Sequence, residues 1–224
     1  MKRKLLFLTL AVLCLGTLAS ADTLVYSSNR AGFTADVIDW GQLGPDSTTV
    51  ATPAWVVSTG GTNAAMAGNQ NSSQFSAVVS GTSWTGNFLP GENLVWTGDP
   101  STGQGGPFQI VLLNPVGGIG FGIQAKEPGP FSAQVEVYDA GLNYLSSFVV
   151  TGHSTSSMAG DNLFIGIQNK TAVNIGAIVI STNSNDFAID KVGFNFATPE
   201  PGSLVLLASG LLGAGGMLRR KLGR

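Results

Sequence analysis

Cysteine is almost missing from this chain: Cys14 is the only one, and it sits in an apolar leader. The rest of the chain has no thiol for a disulfide, a cysteine nucleophile or a cysteine-based metal site. Histidine is equally scarce. His153 stands alone in the polar turn Thr151-Gly152-His153-Ser154, so a histidine-based zinc centre lacks ligands. No Gly-x-Ser-x-Gly elbow surrounds any serine, so no serine has the context of the common α/β hydrolases. Cations are few where they would count. Of 11 Lys and Arg residues, only Arg30, Lys126, Lys170 and Lys191 lie between Asp22 and Thr198, against 12 acids, a net −8. Such a segment does not hold nucleic acid, because that affinity comes from neutralising phosphates. Helical periodicity of any length is also missing after Ile38.

The two ends are what the chain does have in strength. Met1-Lys2-Arg3-Lys4, the apolar run Leu5 to Leu18 and Ala19-Ser20-Ala21 read as a secretory signal peptide over 1–21, with the mature chain starting at Asp22. Leu13 precedes Cys14 where a lipoprotein signal would carry a small residue, which argues against lipidation. At the other end Pro199 and Pro201 cannot donate to a sheet ladder, so the folded body stops before them. An uncharged apolar run, Leu204 to Leu218, then leads into Arg219, Arg220, Lys221 and Arg224. As a helix over 203–218 it would measure roughly 22 Å against a hydrocarbon core of ~30 Å. Bilayer thinning and snorkelling arginines close that gap. The basic end stays cytoplasmic and the body lies outside.

The body, 22–197, reads as all-β. A first strand holds Leu24-Val25-Tyr26, and Ser28-Asn29 could cap a brief helix from Arg30 to Ile38, with Phe33 and Val37 one turn apart. Strands are then expected near 50–58, 74–79, 94–97, 108–113, 119–124, 131–138, 145–150, 163–167, 173–180 and 187–196. In one of them Phe131, Ala133, Val135 and Val137 alternate with Ser132, Gln134, Glu136 and Tyr138, so one of its faces is wet. The stretch 58–73 is expected to be a long hairpin or mobile loop. Alternation slips at Asp190–Lys191, which predicts a bulge. Many short strands with polar turns favour an antiparallel two-sheet β-sandwich, most simply a jelly roll.

Pro199-Glu200-Pro201, the Leu/Gly/Ala run and the terminal basic cluster, in that order, resemble the PEP-CTERM sorting tail of Gram-negative bacteria, covering 198–224. The resemblance implies processing by an exosortase-type membrane protease and delivery to the cell surface or extracellular polymer matrix. It also implies membrane anchorage through the tail helix until then. The body resembles a recurrent cargo of such tails in Val37-Ile38-Asp39-Trp40-Gly41-Gln42-Leu43-Gly44, Trp84-Thr85-Gly86-Asn87-Phe88, Gly120-Phe121-Gly122-Ile123-Gln124-Ala125 and Phe187-Ala188-Ile189-Asp190-Lys191-Val192-Gly193-Phe194. That resemblance implies a β-sandwich whose last strand is similar to that of carbohydrate-binding jelly rolls. In those modules an aspartate in the setting of Asp190 helps to hold a structural Ca²⁺. The first strand offers Tyr26 and Ser27 in place of a second carboxylate, so a hydrogen-bonded structural aspartate competes with the metal reading.

Catalytic candidates are sparse. Glu136 and Asp139, with Glu127 before them, could form the carboxylate pair of a polysaccharide hydrolase or lyase, but the Glu-x-Asp-x-x-Glu cluster of jelly-roll glucanases is absent. Trp40, Trp55, Trp84, Trp96, Tyr138 and Tyr144 are candidate sugar-stacking platforms. Among them Trp84, amid Gly81-Thr82-Ser83 and Thr85-Gly86-Asn87, is expected to be the best exposed, with Tyr138 beside it as a ligand contact. Scattered threonines form no regular array, which argues against ice binding. The expectation is a non-enzymatic surface or matrix protein associated with exopolysaccharide, with no cofactor unless calcium is bound at Asp190. A secreted polysaccharide-acting enzyme is the alternative.

Overall fold

A computed structural model of the chain describes residues 22–61, 63–70, 72–98, 105–184 and 186–196. The expected signal peptide and sorting tail lie outside them. Among the described residues fifteen strands run β1 Leu24–Ser27, β2 Asp36–Ile38, β3 Thr48–Ala51, β4 Ala54–Val57, β5 Ala64–Asn69, β6 Gln74–Val79, β7 Asn93–Trp96, β8 Phe108–Val116, β9 Gly118–Ala125, β10 Gly129–Asp139, β11 Tyr144–Ser154, β12 Leu163–Asn169, β13 Ile175–Thr182, β14 Phe187–Ile189 and β15 Val192–Asn195. They form two antiparallel sheets. Sheet A has the order β1-β12-β9-β14-β7-β6-β3, with β15 joining β9 to β2; sheet B has the order β11-β10-β13-β8-β5-β4. The all-β sandwich expected from the sequence is the fold.

The core fills the space between the sheets. Phe121, Ile123, Ile165, Ile167, Ile189 and Phe194 descend from sheet A onto Phe108, Ile110, Val135, Val137, Ile178 and Ile180 of sheet B. Phe108 is met edge-on by Phe75 at 5.3 Å and by Trp40 at 6.3 Å, the aromatic geometry that ring quadrupoles favour.

Three local expectations need correction. Arg30 to Ile38 is not one helix. Asn29 Oδ1 accepts the Ala31 N–H at 3.0 Å and caps a single 3₁₀ turn, Arg30–Phe33. The chain then becomes β2, because its edge pairs with β15. The expected 50–58 strand is two strands in different sheets. β3 pairs with β6 in sheet A and β4 with β5 in sheet B, and the switch falls at Thr52-Pro53, where proline cannot donate to a ladder. The 58–73 stretch contains β5, whose Ala65 and Ala67 face the core. The slip expected at Asp190–Lys191 is present, as the break between β14 and β15.

Asp46 ties the loop before β3 to the sheet. Its carboxylate accepts the Val79 N–H at 2.6 Å and the Ser83 hydroxyl. The Ser83 bond, helped by Val79, holds this carboxyl below the usual carboxylate range. A depressed folded-state pKa adds stability above the unfolded value and loses it as pH falls through the folded one. Urea midpoints of wild type and Asp46→Ala should therefore lie furthest apart at neutral pH and converge as pH drops below about 4. A separation that does not change with pH would contradict this role for Asp46.

Candidate functional site

The outer faces of the two sheets differ, and the difference follows from which side chains point outward. On sheet A, β9 turns Gly118, Gly120, Gly122 and Gln124 away from the core, while β12 and β15 turn out Gly166 and Gly193. Gly120 is directly opposite both Gly166 and Gly193. This row of glycines makes a floor on which Phe33 of the 3₁₀ turn lies, with Phe164 beside it at 5.6 Å. Further along, the connection after β6 folds back over the sheet and buries Trp84 and Phe88 in a second cluster with Val78, Leu94 and Ala188. Gln124 secures it: its Oε1 accepts the Asn87 N–H at 2.7 Å and the Trp84 indole N–H at 3.3 Å.

Trp84 is therefore a buried residue, with Lys126 Nζ 4.6 Å over its ring, and not the exposed platform expected from its glycine-rich setting. Its neighbours are the floor and roof of a small satellite core. Trp40 is also buried and donates to the Asp190 carbonyl at 2.7 Å, and half-buried Trp96 donates to the Asp186 carboxylate at 2.9 Å. Burial pushes the Asp186 carboxyl up, against the Trp96 bond.

Asp190 is completely buried. Arg30 Nη1 donates to its Oδ2 at 2.6 Å, the Gly122 N–H to its Oδ1 at 2.5 Å, and Asn162 Nδ2 to Oδ2 at 3.4 Å. Arg30 supplies the positive charge that the resemblance assigned to calcium, and a guanidinium in that place does not fit a Ca²⁺ site. Among the described residues no group of three or more metal-ligating side chains comes together. The cleft beside it, about 120 Å³ between Asp39, Glu92, Asn93 and Lys191, is acidic. Burial, and then the charge of Asp190, push the Glu92 carboxyl up.

The expected carboxylate pair is also occupied with structure. Asp139 closes its own hairpin, accepting the Gly141 and Asn143 N–H groups at 2.8 Å each and Asn143 Nδ2 at 2.9 Å. Chiefly the Asn143 side chain holds its carboxyl below the ordinary range. Glu136 accepts the Tyr138 hydroxyl at 2.6 Å and Gln134 Nε2 at 3.2 Å, and the bond from Tyr138 pushes that phenol up. His153 lines an open cleft of about 280 Å³ with Asn87, Thr155, Asp161 and Leu163. Among the described residues no hydrogen bond joins it to a serine or a carboxylate.

Among the described residues, no such covering lies on the outer face of sheet B. Its registers place Trp55, Met66, Val111, Ala177, Tyr138 and Tyr144 opposite one another in turn, one residue from each of β4, β5, β8, β13, β10 and β11. They form a continuous apolar row across the sheet. Trp55 is 65% exposed at one end and Tyr144 is 58% exposed at the other. Tyr138 stands edge-on to Tyr144 at 5.9 Å. At ~4.8 Å per strand, Trp55 and Tyr138 are ~19 Å apart, and the small Ala177 between them is only 1% exposed. The next row carries Gln109, Val179 and Glu136, a polar rail alongside. In the sequence Trp55 stood behind Trp84 as a candidate platform. The signal that separates it is Pro53, which marks a sheet switch and hence an edge strand with one bare face.

The PEP-CTERM protein-sorting motif matches residues 197–221. Such a motif marks an exported protein directed to the cell surface and implies processing by exosortase. No curated protein matches the chain. Solved structures similar to it include a DUF4465 family protein from Bacteroides caccae, 11% identical, covering 72% of this chain and 100% of that one at a TM-score of 0.42. Another is TmCBM61 in complex with beta-1,4-galactotriose, 14% identical over 58% of this chain and 86% of that one, TM-score 0.28. A third is the C-terminal family 22 carbohydrate-binding module of Clostridium thermocellum Xyn10B, 13% identical over 77% and 98%, TM-score 0.29. Among the described residues no helix is long and apolar enough to cross a membrane; the expected helix 203–218 lies outside them.

Proposed function

We propose that this exported protein is a non-catalytic module that binds neutral polysaccharide of the cell envelope or matrix on the outer face of sheet B. The observation that carries the reading is the aromatic-ended row from Trp55 to Tyr144 on a sheet face that no loop among the described residues covers. Aromatic faces pack against the C–H groups of pyranose rings. Gln109 and Glu136 on the rail, with Gln134 bonded to Glu136, offer amide and carboxylate partners to sugar hydroxyls. A domain of net −8 between Asp22 and Thr198 favours an uncharged chain over an acidic one.

Trp55→Ala and Tyr138→Ala should each weaken binding by about tenfold, or about 1.4 kcal/mol, while Trp84→Phe leaves it unchanged. Affinity electrophoresis through gels cast with neutral and with acidic polysaccharides reads this directly. Retention that survives both substitutions, or that appears on acidic polymers alone, would refute the assignment.

In the same reading, residues 1–21 are removed on export, and Pro199, Glu200 and Pro201 present the tail to the exosortase. Arg219, Arg220 and Lys221 hold the helix 203–218 in the inner membrane until processing. Intact-mass measurement on the surface-released protein should give an N-terminus at Asp22 and a chain shortened near Pro201. A released chain retaining Arg224 would refute processing.

A further inference from the structure

The ends of the two sheets are not alike. β1, β2, β3 and β4 are three or four residues long, and Pro53 lies between β3 and β4. Short strands and proline are how β proteins keep sheet edges from pairing with other chains. β11 has none of these protections. It runs 11 residues, Tyr144-Leu-Ser-Ser-Phe-Val-Val-Thr-Gly-His-Ser154, pairs on one side with β10, and carries no proline, lysine or acid. Its one register shift against β10 falls at the Val137/Tyr138 step, opposite its Tyr144 end, so the remainder is regular. Val149, near its middle, is 67% exposed.

We propose that β11 pairs antiparallel with β11 of a second copy of this chain, joining two B sheets into one. The strand is complementary to itself. With Val149 on the two-fold axis, Phe148 faces Val150 and Ser146 faces Gly152 on the inner side, while Ser147 faces Thr151 on the outer side. Inner side chains thus meet inner ones, as an isologous contact requires. Charge favours the same edge. Two domains of net −8 repel, but β11 is uncharged. The Glu136 carboxylates, on β10 of each copy, are kept at least ~14 Å apart, beyond the ~8 Å screening length at physiological salt. The pairing sets both bare faces on one side of a twelve-strand sheet, but it does not depend on what those faces bind.

Sedimentation equilibrium of the full chain in mild detergent tests it. Wild type should dimerise, and Val149→Lys, which puts two ammonium groups face to face at the axis, should weaken dimerisation by about tenfold or more. Val149→Thr should dimerise like wild type. On mild oxidation in a background with Cys14 replaced by Ser, Val149→Cys should cross-link between copies and Leu113→Cys, exposed in mid-sheet on β8, should not. A monomeric wild type, a dimer indifferent to Val149→Lys, or equal cross-linking at the two positions would overturn the proposal. So would β11 found paired with a different protein.

Discussion

Asp190→Ala is expected to lower the unfolding free energy by about 2–4 kcal/mol, less than the usual loss for a fully buried ion pair, because Asp190 is buried but the Arg30 side chain is 40% exposed. The carboxylate sits where β14 ends and β15 begins, so it holds together pieces that would otherwise separate. Its loss leaves the Gly122 N–H without an acceptor in the interior, while the half-exposed Arg30 turns in part to water. Arg30 is also stacked 4.7 Å over Phe164, so the 3₁₀ turn is pinned through the same contact. Asp190→Asn keeps the shape and gives up only charge, so about 1–3 kcal/mol is expected. Urea unfolding of the three proteins measures both. Added calcium should leave the wild-type midpoint where it is, since Arg30 stands in the cation's place. A loss under about 1 kcal/mol for the alanine variant, or a calcium-dependent rise in the midpoint, would undo this account.

The fold was legible because its main signals are local. Alternation from Phe131 to Tyr138 fixed β10, and the phase slip at Asp190–Lys191 located the break between β14 and β15. What stayed hidden depended on partners far along the chain. Arg30 and Asp190 are 160 residues apart, and nothing near Asp190 says that its cation is a guanidinium and not a metal. β5 was hidden by its composition: alanine, glycine and asparagine have little strand preference, and Ala65 and Ala67 face inward because the opposing sheet leaves only that much room. Trp84 was misplaced for a related reason. Flanking glycines and hydroxyls suggest a loop, which is correct, but a loop laid across a sheet buries its largest side chain. The candidate site was half legible. Tyr138 was visible from the wet phase of its strand, whereas its alignment with Trp55 is a property of five strands brought into register.

The glycine floor under Phe33 supplies the second large effect. A Cβ on Gly193 would lie 1.8 Å from the Phe33 carbonyl oxygen and 2.9 Å from its carbonyl carbon. Backbone cannot swing aside as a side chain does, so Gly193→Ala must lift the whole 3₁₀ turn, at a cost of about 3 kcal/mol or more. On Gly166 the new Cβ meets the Phe33 ring instead, at 2.5 and 2.7 Å. This distinction predicts different couplings. Phe33→Ala alone opens a cavity worth about 3–5 kcal/mol, but it also removes the nearer obstacle to an alanine at 166, leaving only the Ser27 carbonyl oxygen at 3.0 Å. Phe33→Ala with Gly166→Ala should therefore be clearly less destabilised than the sum of the single changes, while Phe33→Ala with Gly193→Ala should be close to additive. Gly32→Ala, whose Cβ would find its nearest neighbour at 3.6 Å, should stay within about 0.5 kcal/mol of wild type. Denaturant titration of the six variants yields both cycles. If the two couplings come out equal, the turn does not rest on the sheet through backbone at one glycine and ring at the other. The ion pair from Arg30 to Asp190 would then be what holds the 3₁₀ turn to sheet A between the ladders of β1 and β2.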